Sequence, residues 1–439
     1  LKRKGWTKMD IAELKRRACE AVDKNADKII AFGESVFAEP ELGFKEFKTA
    51  EKVQKMLDEL GIEHQDGVAI TGVIAPMKGR SSKVRLALMG ELDAIVAPGH
   101  RCADPVTGAA HSCGHHVQIA TIMGAAMALK ESGIMSELDG DIVLMGVPAE
   151  EGVELEYRHG LMKEGKLSFI GGKQEFIKLG VFDDIDMMLM QHTDGSDKVA
   201  AGGPVGMGYV AKLVYYKGKE AHAGGAPWDG VNALQAAKIG LMAIDAQRET
   251  FRDEDNVRVH PIITKGGDLV NVVPADVRIE TFCRANNMEA IEDASLKVNR
   301  ALKAGADAVG AEVEIMDIPG YMTPYECPEM KAVVEDNLAL IYGKENVVPG
   351  VGYTTEANDV AHLIPVVHCT IGGAEGIAHS SHYEIRDKDS AYIKATKMLL
   401  CSAIDLLANG AEKGLSVKKN FKAPMTKEEY LRTWGHLDV

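Results

Sequence analysis

The sequence predicts an α/β protein: a mixed, mainly parallel sheet covered by helices, interrupted by a smaller β-α-β-β-α-β domain. Three observations carry this expectation. Apolar runs of strand length alternate with segments of helical period up to about residue 200, the order that builds a parallel sheet under helices. The pattern changes at Gly202-Gly203-Pro204, and it resumes after Pro319-Gly320. The first domain is therefore expected over 1–204 and 321–439, and the insert over 205–320.

Asp10 is placed to cap a helix over 10–32, where Ile11, Leu14, Ala18, Val22, Ala26, Ile29 and Ile30 recur at helical spacing. Glu39-Pro40-Glu41-Leu42-Gly43-Phe44 interrupts, and a second helix runs to about Leu60, where Gly61 stops it. A strand at 69–75 precedes a buried one, Val84 to Met89, which ends at Gly90-Glu91-Leu92-Asp93-Ala94. A loop over 97–110 leads into His111-Ser112-Cys113-Gly114-His115-His116 and a helix from Val117 to Lys130. The runs Ile142 to Val147 and Met187 to Met190 read as buried strands. Pro148-Ala149-Glu150-Glu151-Gly152 and Gln191-His192-Thr193-Asp194 stand directly after them. These are strand carboxyl ends, where open α/β sheets hold ligands.

In the insert, 206–216 alternates like a strand and 229–252 is helical. Two strands, 257–264 and 275–284, flank the turn Lys265-Gly266-Gly267-Asp268, and helix 288–309 and strand 311–318 complete it. That order is the ferredoxin-like split unit. Beyond it come a helix at 328–341, a buried strand from Pro365 to Ile371, the segment Gly376 to Tyr383, and a long helix at 389–408. The polar end, about 25 residues, carries no pattern that places it.

Sixty-five acidic against 50 basic residues give 439 residues a net charge of −15, the wrong sign for a nucleic-acid partner. No apolar run reaches the roughly 18 residues of a membrane helix, and Leu1 to Lys8 lacks the apolar core of a signal peptide. Met9 is the expected natural start. The seven cysteines are scattered without paired spacing, which fits a reducing cytoplasm rather than a disulfide framework.

Three imidazoles and a thiol within six residues suit zinc, or manganese where carboxylates join; cobalt and nickel are also admitted. Gly114 permits the sharp turn that aims Cys113 and His115 at one point. The dull reading, ordinary loop histidines, serves a lone His better than four clustered candidates. Glu150 and Glu151 can divide labour, one holding metal and one a proton, provided that the chain bends there, because consecutive strand residues face opposite ways. Taken alone they are a solvated pair, and His192 alone is a satisfied strand-end histidine. His379 and His382 compete for one role.

Together these segments resemble the M20 family of metallopeptidases and amidohydrolases, on the branch of amidohydrolases and aminobenzoyl-glutamate hydrolases. The resemblance rests on His111 to His116, Pro148 to Glu151, His192, and His379 followed four residues later by Tyr383. In the insert it rests on Gly218 to Ala223, Pro227 to Leu234 and Asn271-Val272-Val273-Pro274. It implies a zinc-peptidase-like catalytic domain with an inserted dimerisation, or lid, domain. It implies Cys113, His115, Glu151, His192 and His379 as ligands of one or two divalent ions, with Glu150 as general base. Asp93 would support the site from behind, and Thr354 to Val360 would line the pocket. His222 would reach a partner subunit's active site, with Asn271 and Arg284 as further contacts to substrate polar groups. The chain departs from the family at His116, where Asp or Asn is usual; its imidazole is expected to donate a hydrogen bond from outside the ligand set, with a ligand or substrate contact as alternatives.

The expected protein is thus a metal-dependent, homodimeric amidohydrolase that cleaves a small N-acyl or aroyl amino acid, an aminobenzoyl-glutamate-like conjugate or a dipeptide. His116 keeps open hydrolytic deamination of an amino-aromatic compound by the same centre. A non-catalytic binder on the same fold is the rival from another class; it could dispense with Glu150.

Overall fold

A computed structural model describes residues 10–350 and 352–436; Met9 lies outside the described residues. They divide into two compact units, one reaching Pro204 and resuming at Tyr325, the other Val205–Pro324.

The larger unit is built on six strands. Their order is Gln65–Val68, Gly72–Met77, Asp141–Val147, Arg85–Glu91, Met187–Thr193, Val366–Ile371. The last four are mutually parallel and the first two antiparallel, so the sheet is mixed and mainly parallel, as expected. Register puts Glu91 level with Val147 and His192 level with Thr370. The carboxyl ends of the parallel strands therefore share one edge, and that edge carries the site. The helix His115–Ser132 is buried on almost every side. It lies on the strand Arg85–Glu91 and under the helices Ile11–Lys24, Ala26–Phe37 and Ala395–Leu407, which is why its sequence shows no polar face.

The single helix expected over 10–32 is two. Asp10 caps the first through bonds from the Ala12 and Glu13 amides, and it ends at Lys24. Asn25 there donates its side-chain amide to Ala21 O at 2.9 Å. A short amide side chain that competes for backbone partners breaks the helix at this point. The polar C-terminal segment forms the helix Glu412–Asn420 and a last turn at Tyr430–Trp434. Tyr430 is fully buried and donates to Asp359 Oδ1 at 2.7 Å.

The smaller unit has the strand order Ile262–Lys265, Asp276–Ala285, Gly208–Lys217, Glu312–Pro319, antiparallel throughout. In Asp276–Ala285 every second residue is buried, beginning with Val277. That face meets Ala236, Ala237, Val298 and Leu302 of the helices Ala233–Ala246 and Met288–Val309, giving the ferredoxin-like arrangement. The first helix starts later than its period suggested, because Asn232 caps it with bonds from the Leu234 and Gln235 amides, and it ends at Ala246. Among the described residues no helix is long and apolar enough to cross a membrane, and all seven cysteines are free thiols.

Candidate metal centre

Three strand ends and two loops of the larger unit build the site. Cys113 and His115 flank Gly114, whose φ is 97°. A Cβ there would strike Thr193 Oγ1, so only glycine lets the chain pass and turn both side chains inward. Glu150 and Glu151 follow Ala149, which has a φ of 56°; this left-handed residue supplies the bend that lets both glutamates reach the site. Three buried groups hold the bend. Arg158 donates to Ala149 O at 3.2 Å and also to Glu151 O. Glu46 Oε1 accepts from the Ala149 amide at 2.8 Å. Asp93 Oδ2 accepts from the Glu151 amide at 2.9 Å. His379, with a φ of 67°, donates its backbone N–H to Ser112 O at 2.8 Å. Its loop is anchored by Tyr383, whose hydroxyl lies 2.6 Å from Thr193 Oγ1. His382 is exposed and points its backbone N–H at Ser380 Oγ instead.

These elements bring five side chains together. Cys113 Sγ lies 3.3 Å from His192 Nε2 and 3.2 Å from His379 Nε2. His379 Nε2 is 3.2 Å from Glu151 Oε1. Three donor triads each lie within 4.8 Å: Cys113, His115 and His192; Cys113, Glu151 and His379; Glu91, His115 and Glu150. The imidazoles are held from behind. His115 Nδ1 faces Asp93 O at 3.0 Å and Asp93 Oδ1 at 3.2 Å, and His192 Nδ1 faces Thr193 O at 2.8 Å. Each Nδ1 thus donates and each Nε2 is the nitrogen turned to the centre, the arrangement of ligating histidines.

The residues fit a divalent cation. His115 Nε2 and Glu151 Oε1 are buried without a hydrogen-bond partner, a costly state unless something else satisfies them. Burial pushes the Cys113 thiol well above its usual value, and the Glu151 carboxylate adds to this. Burial, then Glu91 and Glu151, do the same to the Glu150 carboxyl. Burial lowers the His115 imidazole, yet Glu91, Cys113 and Asp93 outweigh it and raise the net value well above normal. The protein groups alone therefore leave a deficit of positive charge at one point. Thiolate, imidazole and carboxylate together are a donor set for zinc or manganese.

The sequence model of peptidase family M20/M25/M40 matches residues 87–405. The chain belongs to this family. As a member it is a metal-dependent hydrolase that acts on amide bonds, which sets aside the non-catalytic binder. It is 26% identical to the Xaa-Arg dipeptidase of Mus musculus over 440 aligned positions, covering 96% of this chain and 95% of that one. Its fold is similar to that of an aminobenzoyl-glutamate utilization protein from Klebsiella pneumoniae, with a TM-score of 0.68 at 20% identity over 88% of this chain and 97% of that one. A dinuclear metal-binding M20 peptidase from Bacillus subtilis gives 0.64 at 21% identity, over 88% and 99%.

His116 lies apart from the donor triads of this family member. Its ring packs 5.0 Å from that of Phe37 and 5.2 Å from that of His111, with Tyr392 at 6.2 Å. Burial and the neighbouring imidazoles hold it neutral, its pKa well below normal. His222, Asn271 and Arg284 belong to the smaller unit. There Ala223 N donates to Asn271 O at 2.9 Å, setting the exposed His222 and Asn271 loops side by side. His222 Nδ1 accepts from the Gly225 amide at 2.9 Å, so Nε2 carries the proton and faces outward. Arg284 stacks over Tyr209 and Phe282 at 5.1 and 5.2 Å and lines a cavity of about 300 Å³ with Arg258 and His260.

The sequence reading passed over Glu91, Lys173 and Arg158. Glu91 stood in plain view at a strand end. Lys173 and Arg158 gave no signal, because a buried cation resembles a surface one until its partners are known.

Proposed function

We propose that the chain hydrolyses the amide bond of a small N-acyl or N-aroyl amino acid, an aminobenzoyl-glutamate-like conjugate or a dipeptide, at a centre for two divalent ions. The observation that carries this is Cys113 Sγ, which belongs to two donor triads at once, one with His115 and His192 and one with Glu151 and His379. A thiolate placed in both triads could be held by two ions at once, and the similar Bacillus subtilis peptidase is described as dinuclear. Thiolate favours zinc, while the carboxylate and imidazoles also admit manganese, cobalt or nickel. A divalent ion bound here supplies a Lewis acid for the amide oxygen and makes a water acidic enough to attack near neutral pH.

The chain's own groups do the rest. Glu150 takes the proton of the attacking water and returns it to the departing nitrogen, a contribution of roughly 10²–10⁴-fold. Asp93 fixes the tautomer of His115, and Arg158 with Glu46 keeps Glu150 and Glu151 on the same side. In the smaller unit, which we read as the surface that pairs two subunits, His222 offers its outward N–H to a substrate oxygen in the partner's site. Asn271 and Arg284 are read as contacts for the substrate's polar groups. His116, the residue behind the ring-deamination reading, is packed among Phe37, His111 and Tyr392 and is assigned a supporting place. Seven free thiols fit a reducing cytoplasm.

The test is a substrate panel headed by dipeptides, because the similarity to the Xaa-Arg dipeptidase spans 96% of this chain. Products are identified chemically. A carboxylate plus an amine supports the proposal; ammonia plus a phenol would replace it with deamination. Glu150→Gln should lower kcat by roughly 10²–10⁴-fold with bound metal unchanged.

A further inference from the structure

We propose that Glu91 is a sixth protein donor of the metal centre, beside His115, and that Lys173 and Gln118 hold it there. The inference rests on the metal-centre reading above. His115 Nδ1 donates to Asp93, so Nε2 is the ring nitrogen turned towards the centre, and Glu91 Oε2 lies 3.1 Å from it. A buried carboxylate oxygen and an imidazole nitrogen this close call for positive charge between or beside them. A proton along the line would make a hydrogen bond, yet His115 Nε2 has no hydrogen-bond partner. The contact is close but misdirected for a proton. A cation lying off the N–O line satisfies both atoms, since ligands about 2.0–2.2 Å from one tetrahedral ion stand roughly 3.3–3.6 Å apart. Glu150 Oε2 stands farther from the same nitrogen, at 3.9 Å, and keeps its place as the base.

Glu91 is also built as a ligand is built. Its Oε1 accepts from Lys173 Nζ at 2.6 Å, and Oε2 accepts from Gln118 Nε2 at 2.6 Å. Its backbone N–H donates to Gln118 Oε1 at 3.1 Å. A carboxylate oxygen has a second lone pair to spare, so the Gln118 bond leaves Oε2 able to bind metal. Lys173 is fully buried, and Glu356 Oε1 is 3.5 Å from its Nζ. One cation thus ties Glu91 to the wall behind the site and offsets the charge that a further carboxylate brings.

The experiment measures divalent-ion content and affinity by chelator competition, using Mn(II) or Co(II) alone as the probe. It compares the full chain with Glu91→Gln, Lys173→Met, the double variant and Cys113→Ser. Glu91→Gln should weaken one ion by at least about 100-fold, more than the loss typical of a residue behind the ligands, and should alter the visible spectrum of bound Co(II). Lys173→Met should weaken the same ion less. The double variant leaves no unpaired buried lysine, so it answers the question if Glu91→Gln fails to fold. Parent-like stoichiometry and affinity within about 3-fold in a folded Glu91 variant overturn this proposal. Cys113→Ser losing both ions in that case leaves the two-ion reading standing. A parent chain that binds no divalent ion would instead sink the reading on which the proposal rests.

Discussion

His115 and His116 are neighbours on the first turn of one buried helix, and both are 1% exposed, yet they meet opposite surroundings. His115 has Asp93 at its back and Cys113, Glu91 and Glu150 in front. His116 has rings on several sides, and its Nδ1 has no hydrogen-bond partner, nor has either nitrogen of His111. The difference teaches what makes a histidine fit to hold a metal. It is not the company of other imidazoles in sequence. It is a hydrogen-bond acceptor on the far nitrogen, which fixes the tautomer and turns the near lone pair inward. About 100° of rotation around the helix separates a charged pocket from an aromatic one.

The comparison breaks first at His115. His115→Ala should abolish amide hydrolysis and remove at least one bound ion, measured by metal analysis of the purified variant, whereas His116→Asn should keep its metal. Equal metal loss in both would erase the distinction drawn here. Asp93→Asn comes next. It preserves shape but weakens the anchor of His115 Nδ1 and the bond to the Glu151 amide. Metal affinity should fall about 10–100-fold, read by chelator competition, while His116→Asn stays within about 3-fold of the parent.

The same contrast shows what was legible in the sequence. The mainly parallel sheet was readable because its strands are continuous apolar runs, and the insert because its order differs from what surrounds it. The convergence of Cys113, His115, Glu151, His192 and His379 was readable because each sits in a short polar motif, two of them at strand ends. The packing of His116 was not, since one turn of helix decides it and nothing in His115-His116 says which ring faces inward. Arg158, Lys173 and Glu46 were hidden for another reason. They act on backbone carbonyls, backbone amides and distant carboxylates, and no spacing along the chain encodes such partners. Tyr430 stayed hidden because a lone tyrosine in a polar stretch gives no sign that Asp359 awaits it.

The smallest predicted effect sharpens the aromatic side of the comparison through acid stability. Burial pushes the His111 imidazole down to about 3, and the neighbouring His115 adds to the depression. A free histidine titrates near 6.5. Between these values the unfolded chain takes up a proton that the folded chain refuses, so stability falls as pH drops below about 6.5. For one group the loss is about 1.4 kcal/mol per pH unit, or about 2 kcal/mol between pH 6 and 4.5. A cation held at Cys113 would push in the same direction, so the sign does not depend on metal. Urea unfolding at the two pH values, with chelator present throughout, should show the His111→Gln variant losing about 2 kcal/mol less than the parent. Identical losses in the two proteins would mean that His111 finds a partner for its proton in the folded state. The aromatic pocket would then be a second polar site rather than the dry counterpart of the first.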